Sequence, residues 1–422
     1  MARSLDYLDR AQEVISRCQS LARFTEDPPR IRRTFLSLPM RACLQEIETW
    51  MYALGMTTHI DAVGNLHGLY PAQDGSTLPR LLIGSHLDTV PDAGAYDGVL
   101  GVVLAVSLIA SLDGRRLPFA IEVVGFSEEE GVRFGVPFIG SRALIGTVDE
   151  LLLSRCDSQG ISVRDAIRTY GLDPGEIPAA TLTEGILGYL EFHIEQGPVL
   201  ENISLSLAAV EAISGQTRME LIFFGNASHA GTTPMTLRRD ALAAAAEWTV
   251  AVEKEARAIP GLVATVGLLQ AKPGAGNVIA GECRATLDVR HASDAARSQA
   301  VKIILDAADE IAKRRGIQLT STTQLAQAAT PMDPFLVAQI EKAISQTGLT
   351  PHRMASGAGH DAMILAEKAP SAMIFLRAPG GISHNPRESV IPEDVANALV
   401  CGWHLLNQLA ASPEFQKRTH RA

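Results

Sequence analysis

The sequence predicts an α/β protein in which helices cover both faces of a sheet, with a smaller α+β domain inserted into the larger one. The chain has 422 residues, which exceeds one ordinary hydrophobic core and indicates two domains. Short apolar runs typical of buried strands alternate with longer amphipathic segments typical of helices. Near Ala212 this alternation changes to the order β-α-β-β-α-β, which can fold as a separate domain, and it returns after Pro331.

Apolar periodicity places the elements of the larger domain. In its first part we expect helices at 5–24, 38–54 and 98–112 and buried strands at 81–84, 119–126 and 189–193. In its second part we expect helices at 334–346 and 392–411, a buried strand at 372–377, and a frayed tail from Ser412.

The inserted segment predicts strands at 219–224, 262–270, 284–289 and 317–324, with helices at 238–259 and 292–315. The predicted domains are therefore a catalytic domain made of 1–211 and 329–422, interrupted by a second domain at 212–328.

Composition and charge disfavour several classes of partner and several cellular locations. The formal net charge of −10 disfavours nucleic acid and anionic membranes. The five cysteines are scattered and form no Cys-x-x-Cys pair, which is typical of reduced cysteines in a cytoplasmic protein. The first ten residues carry no apolar core of a signal peptide, and the most apolar stretch, 99–112, is too short to span a bilayer.

Three groups of metal-competent side chains follow predicted strands, where open α/β sheets place their sites. His86 and Asp88 lie two residues apart, so the Asp88 carboxylate could hold the second imidazole nitrogen; a buried, satisfied histidine is an equal alternative. Asp97 precedes a helix, where capping is the simpler explanation. The acidic run ending in Glu129 and Glu130 is most simply a solvated loop, but it terminates a strand that should be buried.

Two further histidines complete the set. His193 lies on a strand that alternates Glu and His, and His384 lies in a glycine-rich loop after another strand. Three histidines with two carboxylates, and no thiolate, form a nitrogen and oxygen ligand set that suits zinc, with manganese, cobalt or nickel as alternatives. Asp97 could bridge two such ions, which would acidify a water while a nearby glutamate accepts its proton.

Several long motifs occur in order between Asn65 and Glu388. They are Gly-Ser-His-Leu-Asp-Thr, Glu-Glu-Gly-Val-Arg-Phe, His-Ile-Glu-Gln-Gly-Pro-Val-Leu, His-Ala-Gly-Thr-Thr-Pro-Met, Ser-Gly-Ala-Gly-His-Asp-Ala and Ile-Ser-His-Asn-Pro. With them the chain resembles the amidohydrolases that include allantoate amidohydrolase, N-carbamoyl-L-amino-acid hydrolase and β-ureidopropionase. These belong to the aminoacylase/carboxypeptidase superfamily of dinuclear metallopeptidases, which have a zinc-aminopeptidase-like catalytic domain.

The resemblance implies a role for each motif residue in the catalytic domain. One metal ion would be held by His86, Asp97 and His193, and the other by Asp97, Glu130 and His384. Glu129 would be the general base, and Asp88 would orient His86. Gln196 and the backbone at Gly359 would complete the substrate pocket.

On the inserted domain, which the resemblance identifies as a lid and dimerisation domain, His229 would stabilise the oxyanion in the active site of the partner subunit of a homodimer. Asn277 would bind the substrate, and Arg290 would clamp its carboxylate. Without the resemblance, a surface charge at a strand end is the simpler explanation for Arg290.

The implied reaction is hydrolysis of an N-carbamoyl or ureido C–N bond in a small carboxylate such as allantoate or an N-carbamoyl-L-amino acid, releasing ammonia and carbon dioxide. Two alternatives stay open: an N-acyl-amino-acid hydrolase or dipeptidase with the same metals, and a non-catalytic dimeric binding protein. Departures from the family pattern at Ala93-Gly94, Ala280 and Arg387 touch no proposed metal ligand but weaken the choice of substrate.

Overall fold

The computed structural model describes residues 2–418, and the chain forms two compact units. The first unit contains the residues up to Glu211, Met332–Met354 and those from Gly359 onward. The second contains Ala212–Pro331 and Ala355–Ala358. No helix within 2–418 combines the length and apolar character needed to cross a membrane.

The helices and strands have the following bounds. The α-helices are α1 (Ala2–Leu21), α2 (Leu38–Ala53), α3 (Val99–Ser111), α4 (Ile139–Ile145), α5 (Glu150–Leu153), α6 (Val163–Tyr170), α7 (Val199–Asn202), α8 (Ala241–Ala258), α9 (Asp294–Arg315), α10 (Pro334–Gln346), α11 (Asp361–Leu365), α12 (Pro392–Ala410) and α13 (Pro413–Gln416). Short 3₁₀ helices span Pro174–Ala180, Met235–Leu237 and Pro379–Gly381. The strands are β1 (Thr57–Ile60), β2 (Leu66–Tyr70), β3 (Arg80–His86), β4 (Ala120–Phe126), β5 (Ile186–Ile194), β6 (Leu207–Ile213), β7 (Gly215–Phe224), β8 (Ser228–His229), β9 (Val263–Lys272), β10 (Val278–Ile279), β11 (Glu282–His291), β12 (Gln318–Gln327), β13 (Thr330–Pro331), β14 (Arg353–Ser356) and β15 (Ser371–Leu376).

The first unit is built on a mixed sheet with the strand order β1-β2-β4-β3-β5-β15-β6. Strands β4, β3, β5 and β15 are parallel neighbours, whereas β1, β2 and β6 run antiparallel to their partners. The four parallel strands are buried along almost their whole length because helices cover both faces. Helix α3 is apolar on all sides and buried from Val99 to Ile109. The mixed α/β class predicted from the sequence is confirmed.

Strand register aligns the carboxyl ends of the central strands at one edge of this sheet. His86 at the end of β3 pairs with Phe126 at the end of β4, and His193 near the end of β5 pairs with Phe375 on β15. Since parallel strands end on the same side, the loops that follow them converge there.

The second unit is a four-stranded antiparallel sheet, ordered β12-β7-β11-β9, with α8 and α9 packed on one face. Alternate residues of β7, such as Met219, Leu221 and Phe223, are buried against the helices, while those between them are more exposed. Trp248 of α8 lies in this core, where its indole N–H donates to the Ile304 carbonyl at 3.1 Å. A separate two-stranded ribbon pairs β8 with β10.

We expected a frayed tail from Ser412, and this expectation was wrong for residues 412–418. Residues 419–422 lie outside the described part of the chain. The Ser412 hydroxyl accepts a hydrogen bond from the Phe415 amide and caps α13. Phe415 is fully buried, with its ring 5.4 Å from that of Phe119 and 6.3 Å from that of Phe335. Burial of this ring holds the final turn against the unit, a contact that local polarity does not reveal.

Candidate active site and metal centre

Side chains from five separate segments of the first unit converge at the edge where the parallel strands end. They are His86 at the end of β3, Asp97 before α3, Glu129 and Glu130 after β4, His193 on β5, and His384 after β15. Their nitrogen and oxygen atoms form groups of three whose members all lie within 4.8 Å of one another.

The first group contains His86, Asp97 and His193, all buried. Asp97 Oδ1 lies 3.2 Å from His193 Nε2 and 3.7 Å from His86 Nε2. The two Nε2 atoms lie 3.5 Å apart. Gly98 makes room for this arrangement, because a Cβ at that position would lie 2.3 Å from His86 Nε2.

Backbone carbonyls set the orientation of both rings. His86 Nδ1 donates to the Asp88 carbonyl at 3.0 Å, and His193 Nδ1 donates to the Ile194 carbonyl at 2.9 Å. A carbonyl can only accept, so Nδ1 carries the proton and the Nε2 lone pair of each neutral ring faces the other ring. Two lone pairs at this distance repel unless a positive charge lies between them.

The pKa values of the two rings indicate the same need for positive charge. Burial alone lowers the pKa of His86, but the nearby carboxylates of Asp88, Asp97 and Glu129 raise it well above the usual value. Burial, together with the neighbouring His86, lowers the pKa of His193 to about 4. The pair therefore holds one positive charge more readily than two, and a proton or a cation between the two nitrogens can supply it.

The second group contains Asp97, Glu130 and His384. His384 Nε2 lies 3.2 Å from Asp97 Oδ2 and 3.5 Å from Glu130 Oε1. Burial raises the pKa of Glu130 to about 7, and the nearby carboxylates of Asp97 and Asp88 add to the shift. Burial also raises the pKa of Glu129 well above the usual value. Asp97 is common to both groups.

The hydrogen bonds of the Asp97 carboxylate also indicate that a divalent cation fits these residues. Asp97 Oδ2 accepts hydrogen bonds from Ser383 Oγ at 2.7 Å and Gln196 Nε2 at 2.9 Å. Asp97 Oδ1 is buried and, within 2–418, receives no hydrogen bond. A buried carboxylate oxygen without a donor is costly unless a cation compensates its charge.

Asp88 makes contacts that the sequence did not anticipate. Its carboxylate accepts hydrogen bonds from the Glu129 amide at 2.9 Å and from the Glu130 amide at 3.1 Å. His86 Nδ1 is closer to the Asp88 carbonyl, at 3.0 Å, than to its carboxylate, at 3.5 Å. The side chain of Asp88 therefore holds the acidic loop, while its backbone orients His86.

Two other expected pocket residues belong to this unit, and Gln196 contacts the shared Asp97. The Gln196 amide donates to Asp97, and its oxygen receives no hydrogen bond from the described residues. Gly359 lies close to the ring of Phe138. A Cβ at this position would lie 3.0 Å from Phe138 Cζ, so a larger residue would crowd the ring. The Gln196 amide is thus engaged with the shared carboxylate and not directed away from it.

Glu388 is a site residue that sequence reasoning missed. Its buried Oε1 accepts hydrogen bonds from the Tyr96 amide at 2.8 Å and the Asp97 amide at 3.0 Å. Burial, with the nearby Asp97 carboxylate, raises the pKa of Glu388 to about 7. The residue ties the loop of Asp97 to the loop of His384. Its local sequence, after Pro386-Arg387, gave no signal beyond proximity to a proposed ligand.

A second missed feature lies behind His193. Glu191, two residues earlier on β5, is fully buried and accepts hydrogen bonds from Ser85 Oγ and the Ala362 amide. Glu191, His193 and His360 form another group of potential ligands. The alternation of Glu and His on a buried strand was the available signal, and only its histidine was assigned a role.

The remaining expected residues belong to the second unit. His229 on β8 is exposed and pairs with Val278, next to Asn277, in the two-stranded ribbon. The Ala230 amide donates to the Asn277 carbonyl at 2.9 Å, which holds the two segments together.

Arg290 lies near the end of β11 and is held from two sides. Its Nε and Nη2 donate to the two Asp288 carboxylate oxygens at 3.0 and 2.9 Å, and its Nη1 donates to the Gly357 carbonyl at 2.7 Å. Arg218 also donates to Asp288, at 3.1 Å. These four residues line a cavity of about 660 Å³ within the second unit.

Known proteins resemble the chain over most of its length. The family model for peptidase family M20/M25/M40 matches residues 82–408. A probable allantoate deiminase of Oryza sativa subsp. japonica is 39% identical over 426 aligned residues, covering 91% of this chain and 85% of that protein. An N-carbamoyl-L-amino acid amidohydrolase of Geobacillus stearothermophilus is 39% identical, covering 86% of this chain and 90% of that protein.

Solved structures agree with the sequence relatives. The crystal structure of an amidase of the hydantoinase/carbamoylase family from Burkholderia multivorans superimposes with a TM-score of 0.89 and 31% identity, covering 96% of this chain and 98% of that one. With a family match over residues 82–408 and relatives of this identity, the chain belongs to peptidase family M20/M25/M40.

Proposed function

We propose that the protein is a metal-dependent amidohydrolase that cleaves the C–N bond of an N-carbamoyl or ureido group in a small carboxylate, releasing ammonia and carbon dioxide. The leading substrates are allantoate and N-carbamoyl-L-amino acids, the compounds in the names of the sequence relatives. The observation that carries the proposal is the convergence of three histidines and the Glu130 carboxylate on the shared Asp97.

Two divalent cations are assigned to the two groups that share Asp97. One would be held by His86, Asp97 and His193, and the other by Asp97, Glu130 and His384. Asp97 Oδ1, which receives no hydrogen bond from the described part of the chain, and the facing Nε2 atoms of His86 and His193 support this assignment. The nitrogen and oxygen donors suit zinc first, and they also accept manganese, cobalt or nickel.

Glu129 is the proposed general base. The cations, when bound, supply Lewis-acid stabilisation of negative charge on oxygen. Glu129 takes a proton from the attacking water and then gives it to the leaving nitrogen as the C–N bond breaks. Its buried carboxyl, whose pKa is raised, suits a group that holds a proton between these two steps. Asp88 supports it by holding the Glu129 and Glu130 amides.

Arg290 is the proposed clamp for the substrate carboxylate. A guanidinium has five N–H groups, and Asp288 and Gly357 occupy three of them, which leaves two (5 − 3 = 2) without an acceptor among residues 2–418. Two N–H donors match the two oxygens of a carboxylate. Asn277, Gln196 and the backbone of Gly359 would complete the pocket, and His229 would donate to the oxyanion.

The second unit is the proposed lid and dimerisation domain, with His229 acting in the site of the partner subunit. Strand β9 is an edge of its sheet, because β11 is its one pairing partner in the described chain. It exposes 58% of Val263, 37% of Leu268 and 41% of Leu269. An edge strand of ten residues with apolar side chains is a surface that proteins normally cover, and a second copy would cover it.

A substrate panel tests the proposed reaction. The metal-loaded protein is assayed for ammonia release from allantoate, N-carbamoyl-L-amino acids and N-carbamoyl-β-alanine, with zinc, manganese, cobalt or nickel added in turn. N-acetyl amino acids and dipeptides are assayed for amine release. We expect turnover of at least one carbamoyl or ureido substrate and none of the acyl substrates. Turnover of acyl substrates alone would contradict the proposed bond.

A conservative substitution tests the general base. Glu129→Gln keeps the shape of the side chain and removes its ability to take a proton, so kcat should fall by roughly two to four orders of magnitude. Exposed Glu176 provides the matched control, and Glu176→Gln should retain full activity. A Glu129→Gln enzyme that turns over at the rate of the control would rule out the assigned base.

Mixed dimers test whether His229 acts across the subunit interface. Glu129→Gln and His229→Gln proteins are each inactive by this mechanism, and they are mixed under conditions that exchange subunits. If His229 serves the partner, one site of each hybrid is complete, and about a quarter of wild-type activity should return. If His229 serves its own subunit, no hybrid site is complete and activity stays absent. Sedimentation of the wild-type protein as a monomer would contradict the dimer directly.

A further inference from the structure

A short loop in the second unit closes around His229. The Thr233 amide and hydroxyl both donate to the His229 carbonyl, at 3.2 and 3.0 Å. The same hydroxyl lies 2.6 Å from Ser228 Oγ. The backbone of His229 is thus tied to a residue four positions further along the chain.

The ring of His229 is oriented by one backbone amide. Gly231 N–H donates to His229 Nδ1 at 3.1 Å. An amide can only donate, so Nδ1 carries the lone pair, and in the neutral ring the proton is on Nε2. This is the opposite tautomer to that of His86 and His193, whose Nδ1 atoms donate to carbonyls.

Arg238 holds the peptide unit that supplies this amide. Its Nη2 donates to the Ala230 carbonyl at 2.6 Å, and its Nε donates to the Thr233 carbonyl at 3.1 Å. The Ala230 carbonyl and the Gly231 N–H belong to one planar peptide group, so fixing the direction of the carbonyl fixes the direction of the N–H. A cation on the carbonyl also polarises the group and strengthens its N–H as a donor.

We infer that Arg238 is a positioning residue that, through the Ala230–Gly231 peptide, keeps the His229 ring in the tautomer with its proton on Nε2. This inference rests on the proposed role of His229 as a donor to the oxyanion. An oxyanion needs an N–H directed at it, and a ring with a lone pair on Nε2 would repel the developing charge. With Nδ1 engaged by Gly231, the neutral ring is a donor at Nε2 in every encounter with substrate.

Nitrogen NMR of the full chain tests the tautomer without reference to activity. Protein labelled with ¹⁵N-histidine is measured at mildly alkaline pH, and the His229 signals are identified by their loss in His229→Gln. In the wild-type protein we expect an unprotonated Nδ1 and a protonated Nε2. Arg238→Ala should shift the signals towards a mixture of tautomers. The neighbouring Arg239→Ala, which removes an exposed charge of the same sign, should leave them unchanged.

Kinetics then separate positioning from a general loss of structure. Arg238→Ala should lower kcat by roughly tenfold with little change in KM, because an impaired oxyanion donor affects the transition state and not substrate binding. Guanidinium added at low concentration should restore part of kcat in Arg238→Ala and have no such effect on Arg239→Ala. Arg238→Lys, which retains a charged donor to the loop, should lie between Arg238→Ala and the wild type.

The outcomes distinguish this inference from the proposed function. A wild-type His229 with its proton on Nδ1, or an Arg238→Ala protein with an unchanged tautomer, would overturn the inference whatever the activity. Unchanged kcat in His229→Gln would instead remove the proposed catalytic role of the ring. A KM effect in Arg238→Ala without loss of kcat would also overturn the positioning role.

Discussion

Replacing Asp88 by asparagine should loosen the acidic loop after β4 while leaving His86 in place. The Asp88 carboxylate uses one oxygen for the Glu129 amide and the other for the Glu130 amide. Asparagine is nearly isosteric but has one oxygen, so one of these two N–H groups would face an NH₂ group. The His86 ring keeps its acceptor because that acceptor is the backbone carbonyl of residue 88.

The size of the effect follows from the number of bonds lost. A buried N–H left without an acceptor costs about 1–3 kcal/mol. Asp88→Asn should therefore raise the rate of hydrogen exchange at one of the two loop amides by about 5- to 150-fold. Asp88→Ala removes both acceptors, and it should destabilise the loop by about 2–6 kcal/mol.

Hydrogen exchange followed by mass spectrometry measures this loop directly in metal-free protein, with a chelator present so that no cation contributes. The exposed Asp92, in the segment between Asp88 and Asp97, is the matched control, and Asp92→Asn should exchange like wild type. If Asp88→Asn leaves the Glu129 and Glu130 amides protected, the Asp88 side chain does not hold the loop and the reasoning from its contacts fails.

Three other perturbations have definite expected outcomes. Glu388→Ala leaves two buried amides without an acceptor and should lower the free energy of unfolding by about 2–6 kcal/mol in urea titrations, whereas Glu388→Gln retains an acceptor and should cost less than about 1 kcal/mol. A cation would bind the ionised carboxylate of Glu130, whose pKa is about 7, so metal affinity in chelator competition should rise with pH and fall by at least about tenfold for each pH unit below 7; a flat profile would contradict this. Asp288→Asn loosens Arg290 and should raise KM for carboxylated substrates about tenfold with little change in kcat; an equal effect on substrates lacking the carboxylate would count against the clamp.

Much of the site was predictable because its geometry follows from strand direction. Apolar runs located β3, β4 and β5, and parallel strands place their carboxyl ends at one edge. His86, Glu130 and His193 could therefore be placed together without any knowledge of packing. The rule works because it depends on chain direction and burial, and both can be inferred from the local pattern of apolar residues.

Contacts between distant loops could not be predicted in the same way. Glu388 binds amides 291 and 292 positions away, and a single glutamate in a proline-containing loop carries no periodic signal of that contact. The buried Asn65 is similar: its side chain accepts from the Ser127 amide at 3.0 Å and donates to the Gly140 carbonyl at 3.0 Å, and so braces the start of the acidic loop. The role of such residues depends on tertiary structure, because a buried amide needs an acceptor from whichever segment lies close to it in the fold.

Backbone partners decide what each histidine can do, and residue type does not reveal them. Carbonyls accept from Nδ1 of His86 and His193, so their Nε2 lone pairs are available to a cation. At His229 an amide donates to Nδ1, so Nε2 is a donor there. The same side chain is therefore suited to bind a cation in one unit and to stabilise an anion in the other. The difference arises from one backbone group per ring, and exchanging those groups would exchange the two capacities.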